Sequence, residues 1–291
     1  MTLKFGIIPI NTGPYAPPAQ ATALVQTAEA AGLESAWTFE HVVMPAEYDS
    51  AYPYHPKGKM FLPSDTAFVD PLVAIAHAIG KTRRLRFGTG INILPQANPL
   101  YMAKQVASLD YLSGGRMMLG IGAGWLKEEF DAMGVPFAQR GKRTDDYMRA
   151  LRAAWNGGGE VRYKSEYIDW SGFELSPQPA QPGGVPLIVG GTSPAAIRRA
   201  ATLGDGWFVI HQDMAQLRAL MHSFHAACKE AGRDPAQIEI TAYYQYTKEG
   251  TATLPEYQEL GVSRLLMNLV QFREGDLLDN IKGYADAVLA A

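Results

Sequence analysis

The sequence predicts an α/β fold, a (β/α)8 TIM barrel made by one domain spanning residues 1–291. Three observations predict it. Strand-like and helix-like segments alternate from end to end. The strand-like runs are short and continuously apolar, as strands covered on both faces must be. Glycines follow several of them, at the carboxyl ends where a barrel places its ligands.

Taken in order, Leu3–Ile10 is an apolar run that ends beside Pro9, and Pro18–Ala31 is the helix after it, stopped by Gly32. Ser35–Phe39 leads into a long loop, Glu40–Asp70, and Pro71–Gly80 starts as a helix on the Asp70 cap. Leu85–Ile91 and Met117–Ile121 flank the helix Pro99–Leu112, and both exit into glycine-rich turns. Lys142–Trp155 has helical spacing. It is followed by a second long loop, Asn156–Gly184, with a hairpin pattern of Val161–Tyr163 and Tyr167–Trp170. Pro186–Val189 precedes the helix Pro194–Leu203, capped by Ser193. Gly206–Ile210 precedes Met214–Ala231, Ile238–Tyr244 precedes Pro255–Leu260, and Arg264–Asn268 precedes Leu277–Leu289. An open doubly wound sheet is the alternative architecture. It is disfavoured because Gly120-Ile121-Gly122 is followed by Trp125 where a dinucleotide-binding turn needs its third glycine. The two inserted loops fall after strands 2 and 4, and long loops in a compact domain usually carry function or cover a site.

Composition narrows the function. The chain has 291 residues, 47% hydrophobic and 19% charged, with net charge −3. No basic block of five residues occurs, so a nucleic-acid partner is not expected. Cys228 is the single cysteine, which excludes an internal disulfide and a cysteine-rich metal site. It lies in a helical pattern and reads as a buried thiol. No H-E-x-x-H or G-x-S-x-G motif is present, and no metal is expected. The amino-terminal segment reads as a strand rather than a signal peptide, and no apolar run approaches a membrane span. The expectation is a cytoplasmic protein with no membrane partner.

Four strand ends carry chemistry-bearing residues. Trp37-Thr38-Phe39-Glu40-His41 puts an acid and an imidazole at the barrel mouth, where they can bind a ligand or simply satisfy each other. Gly88-Thr89-Gly90-Ile91-Asn92 reads as a bulged strand end. Gly120-Ile121-Gly122-Ala123-Gly124-Trp125 leaves backbone room for a ligand, and Glu128 and Glu129 behind it suit a helix start. Val189-Gly190-Gly191-Thr192-Ser193-Pro194 ends a strand and caps a helix, which makes an anion site. That site would follow the fifth strand, whereas barrels usually bind phosphate after the seventh and eighth.

These motifs, with Ala107–Gly124 (ASLDYLSGGRMMLGIGAG) and Leu203–Trp207 (LGDGW), resemble the bacterial luciferase-like flavin and deazaflavin oxidoreductases over nearly the whole chain. The resemblance implies an oxidoreductase with coenzyme F420, or alternatively FMN, in the barrel mouth. It implies that Glu40 and His41 line the ring, with His41 and Glu40 as catalytic residues, and that a non-proline cis peptide at Gly90–Ile91 forms a bulge beneath it. Ala123 and Gly124 would lie beside the cofactor. Gly190, Gly191 and Thr192 would hold its phosphate, with Ile210 and His211 completing that site. Trp125 stands where relatives acting on sugar phosphates have a glutamate, which implies an apolar or aromatic small-molecule substrate, with Tyr48 and Tyr52 of the loop beside it. The Glu40–His41 pair and the short chain favour F420-dependent hydride transfer. The alternatives are an oxygen-using monooxygenase dependent on reduced FMN, a non-catalytic flavin-binding protein, and a non-flavin barrel enzyme acting on phosphorylated metabolites. The resemblance also carries the expectation of a homodimer.

Overall fold

The computed structural model describes residues 2–55, 57–272 and 274–291. Eight parallel strands close into a barrel: β1 (Lys4–Ile8), β2 (Ser35–Thr38), β3 (Arg86–Thr89), β5 (Met117–Gly122), β8 (Leu187–Gly190), β9 (Gly206–Val209), β10 (Glu239–Tyr244) and β11 (Arg264–Asn268). β3 pairs with β2 on one side and with β5 on the other, through Phe87↔Met117, and that second pairing shuts the ring. A two-residue strand, β4 (Asn92–Ile93), continues β3 past a break and pairs with β5. The predicted strands are the barrel strands, so the closed architecture holds over the open sheet.

The main helices cover the outside: α1 (Pro18–Ala30), α2 (Pro71–Ile79), α3 (Pro99–Ser113), α5 (Arg140–Ala154), α6 (Pro194–Leu203), α7 (Met214–Glu230), α9 (Leu254–Glu259) and α10 (Leu277–Leu289). Two further helices are short: α4 (Lys127–Ala132), whose first turn holds Glu128 and Glu129 as the sequence suggested, and α8 (Tyr246–Glu249), which was not expected. Side-chain caps start several helices. Asp70 accepts from Leu72 and Val73 N–H, Asn98 from Leu100 and Tyr101 N–H, and Asp276 from Leu278 and Asp279 N–H. Cys228 is buried in α7. No helix among the described residues is long and apolar enough to cross a membrane.

The barrel interior is layered. At the amino ends of the strands, Arg264 is fully buried and holds Glu34 with two hydrogen bonds of 2.8 Å. Its Nη1 also donates to Glu239 and to Thr241. Above it lie Ile8, Trp37, Met118, Ile188, Phe208 and Leu266, an apolar plug. The carboxyl ends above the plug are open, and the candidate site is there.

The two inserted loops divide. The loop after β2 crosses the open end. The loop after α5 forms the predicted hairpin, β6 (Glu160–Lys164) with β7 (Asp169–Glu174). It hangs on the outside of α5, where the Tyr163 and Ser165 hydroxyls donate to the Asp146 carboxylate at 2.6 and 2.7 Å. None of its described residues lines the cleft, so this insertion braces a helix instead of covering the site.

Candidate active site

A cleft of ≈ 970 Å³ opens at the carboxyl ends of the strands, at the upper end of the range for small-molecule sites. Glu40, His41, Gly90, Ile91, Ala123, Gly124, Trp125, Gly190, Gly191, Thr192, Ile210 and Tyr52 all line it.

Its floor is made by the β3 exit. The Gly90–Ile91 peptide is cis. The Ile91 side chain turns away into the wall, against two glycines. A Cβ on Gly122 would stand 2.1 Å from Ile91 Cδ1, and one on Gly190 2.7 Å from it. The sequence suggested that glycines here make room for a ligand. At Gly122 and Gly190 they make room for Ile91, which in turn presents its backbone to the cleft.

Glu40 fixes that floor. Its carboxyl accepts from the Ile93 N–H at 3.0 Å and from Asn92 Nδ2 at 2.6 Å. Burial pushes this carboxyl up to about 8, opposed by those two hydrogen bonds and helped by the charges of Asp70 and Glu129.

His41 stands beside the floor, with its ring edge-on to Phe68 and Trp125. Its Nδ1 donates to Glu129 Oε2 at 3.2 Å, leaving Nε2 as the free ring nitrogen. The other oxygen of Glu129 accepts from Val42 N–H at 2.7 Å and Val43 N–H at 3.3 Å. Glu129 is 2% exposed, so it is committed to orienting His41 and the start of the loop. Glu128 does the same farther along by accepting from Asp49 and Ser50 N–H. The sequence placed these two acids at a helix start, where α4 holds them, and gave no sign of their hold on the loop.

At the far end, α6 starts with its dipole toward the cleft. Ser193 Oγ accepts from Ala196 N–H at 3.2 Å. Thr192, Ser193 and Ala195 line the cleft, and their amides have no hydrogen-bond partner among the described residues. Arg140, Lys142 and Arg199 also line the cleft; Arg140 donates to the Gly124 and Phe137 carbonyls, and Arg199 is paired with Asp145. The arrangement suits a phosphate. Arg140 and Lys142 fall in one short basic stretch of the sequence and Arg199 lies far from it, with no local sign of what any of them faces. This helix start follows the fifth barrel strand, away from the usual phosphate position. Gly191 has φ +110°, a conformation that favours glycine, and its Cβ would meet Ala196 at 3.2 Å. We expect Gly191→Leu to weaken binding of a phosphate-bearing ligand at least about tenfold, as measured by titration of variant protein with an unchanged circular dichroism spectrum.

Two residues predicted for the site do not line the cleft. Tyr48 packs on Trp125, with ring centroids 5.6 Å apart, and its hydroxyl accepts from Met60 N–H. It supports the aromatic wall from behind. His211 lies two residues past the end of β9 and packs away from the cleft, against Tyr257. Its Nε2 pairs with the Tyr257 hydroxyl at 3.2 Å, and burial lowers its pKa to about 4. Tyr54 of the loop after β2 lines the cleft as well, and so do Tyr243 and Asn268, which were not predicted for it.

The residues thus define a barrel with one ligand site: a flat floor, a histidine held by an acid, an aromatic wall and an anion end. Comparison with known proteins agrees. The sequence profile described as luciferase-like monooxygenase matches residues 4–247, and the chain belongs to that family. An uncharacterized protein of Mycobacterium tuberculosis is 35% identical over 234 residues, 80% of each chain. The structure of an F420-dependent secondary alcohol dehydrogenase, in complex with an F420-acetone adduct, superposes with TM-score 0.79 at 17% identity, covering 100% of this chain and 99% of the other. The monooxygenase RslO1 from Streptomyces bottropensis superposes with TM-score 0.76 at 19% identity, with the same coverage. At these identities the two structures speak for the fold.

Proposed function

We propose that this protein is an oxidoreductase that uses coenzyme F420 to move hydride to or from a small, largely apolar organic substrate bearing a hydroxyl or carbonyl group. The observation that carries the reading is the cleft itself. The Gly90–Ile91 floor, the His41–Glu129 pair and the free α6 amides lie in one cavity, spaced around its rim. The F420-dependent alcohol dehydrogenase with the same fold supports the choice of cofactor.

The residues present fit such a group. Thr192, Ser193 and Ala195 amides, with Arg140, Lys142 and Arg199, would hold its phosphate, and the Gly90–Ile91 backbone would underlie its ring. When bound, the ring supplies or accepts a hydride at C5. His41 Nε2 takes the hydroxyl proton as an alcohol is oxidised and returns it to the carbonyl oxygen in the reverse direction. Glu129 keeps the imidazole in the tautomer that leaves Nε2 free. Glu40, buried, holds the floor through its hydrogen bonds from Asn92 and Ile93. Trp125, Tyr52, Phe61 and Phe68 form an aromatic wall that excludes water and favours an apolar substrate body. Tyr243 is a neutral donor facing the same space, because burial raises its pKa well above the usual phenol value.

Titration of the purified protein with F420 and with FMN, followed by fluorescence, tests the reading. The expected result is tighter binding of F420, by about tenfold or more. Micromolar FMN binding with no deazaflavin binding would replace the reading with an oxygen-using monooxygenase.

A further inference from the structure

The loop after β2 reaches across the cleft to the anion end at one point. Tyr54 Oη lies 3.5 Å from the position a Cβ on Gly191 would take. Gly191 immediately precedes the free amides of Thr192 and Ser193. The Tyr54 ring lines the cleft and packs edge-on against Tyr52, with centroids 5.5 Å apart, and Tyr52 in turn packs on Trp125. The Tyr54 hydroxyl has no hydrogen-bond partner among the described residues. It is a polar atom brought to an anion site and left free there.

We propose that Tyr54 is a ligand of the cofactor phosphate, delivered by the loop after β2, so that a phosphate on the α6 amides also fastens that loop over the cleft. The proposal rests on the phosphate-bearing cofactor of the functional reading, and it extends the anion site from one strand exit to two. Its chemistry is a neutral O–H donor to a phosphate oxygen. Burial pushes the Tyr54 phenol up to about 12, so it stays protonated and does not repel the anion. Nearer its two ends the loop is fixed by other means. Glu129 and Glu128 hold residues 42–43 and 49–50, and Asn11 Nδ2 donates to the carbonyls of Phe39 and Val69. The stretch around Tyr54 has an internal turn, with Tyr52 N–H donating to Gly58 O and Gly58 N–H to His55 O. Of this stretch, Tyr54 is the residue whose hydroxyl approaches the β8 exit, at Gly191.

The test is a cycle between residue and ligand group. F420 and its phosphate-free deazariboflavin counterpart are titrated against the parent protein, Tyr54→Phe and Tyr52→Phe, with FMN and riboflavin as a second pair. Tyr54→Phe keeps the ring and removes only the hydroxyl. The expected result is about tenfold weaker binding of the phosphate-bearing ligand to Tyr54→Phe. The phosphate-free ligand should bind within about twofold of the parent, and Tyr52→Phe should show no phosphate dependence. Equal losses for both ligands of a pair would make Tyr54 a packing residue and overturn the proposal, as would no loss for either. If F420 fails to bind and FMN binds, the choice of cofactor falls while the FMN and riboflavin pair still decides the role of Tyr54. If neither phosphate-bearing ligand binds, both fall.

Discussion

Replacing His41 with alanine lowers turnover by about 10²–10⁴, the usual worth of a positioned general acid or base, and leaves cofactor affinity close to that of the parent. The expectation follows from how the imidazole is held. Glu129 occupies Nδ1 and is itself pinned by two backbone N–H groups, so the ring has one orientation and one free nitrogen. Truncation removes that nitrogen but leaves the Gly90–Ile91 floor, whose anchor is Glu40. Steady-state kinetics with any alcohol or carbonyl compound the parent accepts, together with a cofactor titration, checks it. Turnover within about twofold of the parent would reduce His41 to a wall residue.

The second large effect is on stability, at the opposite end of the barrel. Arg264→Met should destabilise the fold by about 1–3 kcal/mol, because it removes the fully buried cation shared by Glu34 and Glu239 and leaves them only the more exposed Arg86 and Lys4. Urea unfolding monitored by circular dichroism measures this. The pH dependence has a definite sign. Burial alone would raise the Glu34 carboxyl, but the hydrogen bonds and charge of Arg264 win and hold it at about 2. Its folded pKa is below its unfolded value near 4.5. The stabilisation is therefore fully present above that value and is lost as pH falls toward 2. The parent protein should lose stability steeply in that window. Arg264→Met, already lacking the pair, should lose less.

How far the sequence could be read depended on whether a signal was local. The barrel strands were legible because each is a short apolar run bounded by helix caps and glycines. Glu40, His41 and the glycines stood out because they follow strand ends, and strand ends of a barrel converge. Partners distant in the chain were hidden. Glu129 meets His41 across 88 residues, and Arg264 meets Glu34 across 230. Nothing in either local pattern signals the other. The loop after β2 has no periodicity, so Tyr48, Tyr52 and Tyr54 could not be told apart, although Tyr52 and Tyr54 face the cleft and Tyr48 backs Trp125. The hairpin was found in sequence, but its place on α5 depends on Asp146.

The central claim is that one cleft holds a phosphate on α6 and a planar ring over Gly90–Ile91 beside His41. A crystal structure of the protein with bound F420 tests this most directly. The account predicts phosphate oxygens within hydrogen-bond distance of the Thr192, Ser193 and Ala195 amides, and the ring lying on the Ile91 backbone with C5 on the side of His41 Nε2. A ring seated elsewhere in the barrel, or a phosphate away from the start of α6, would contradict it.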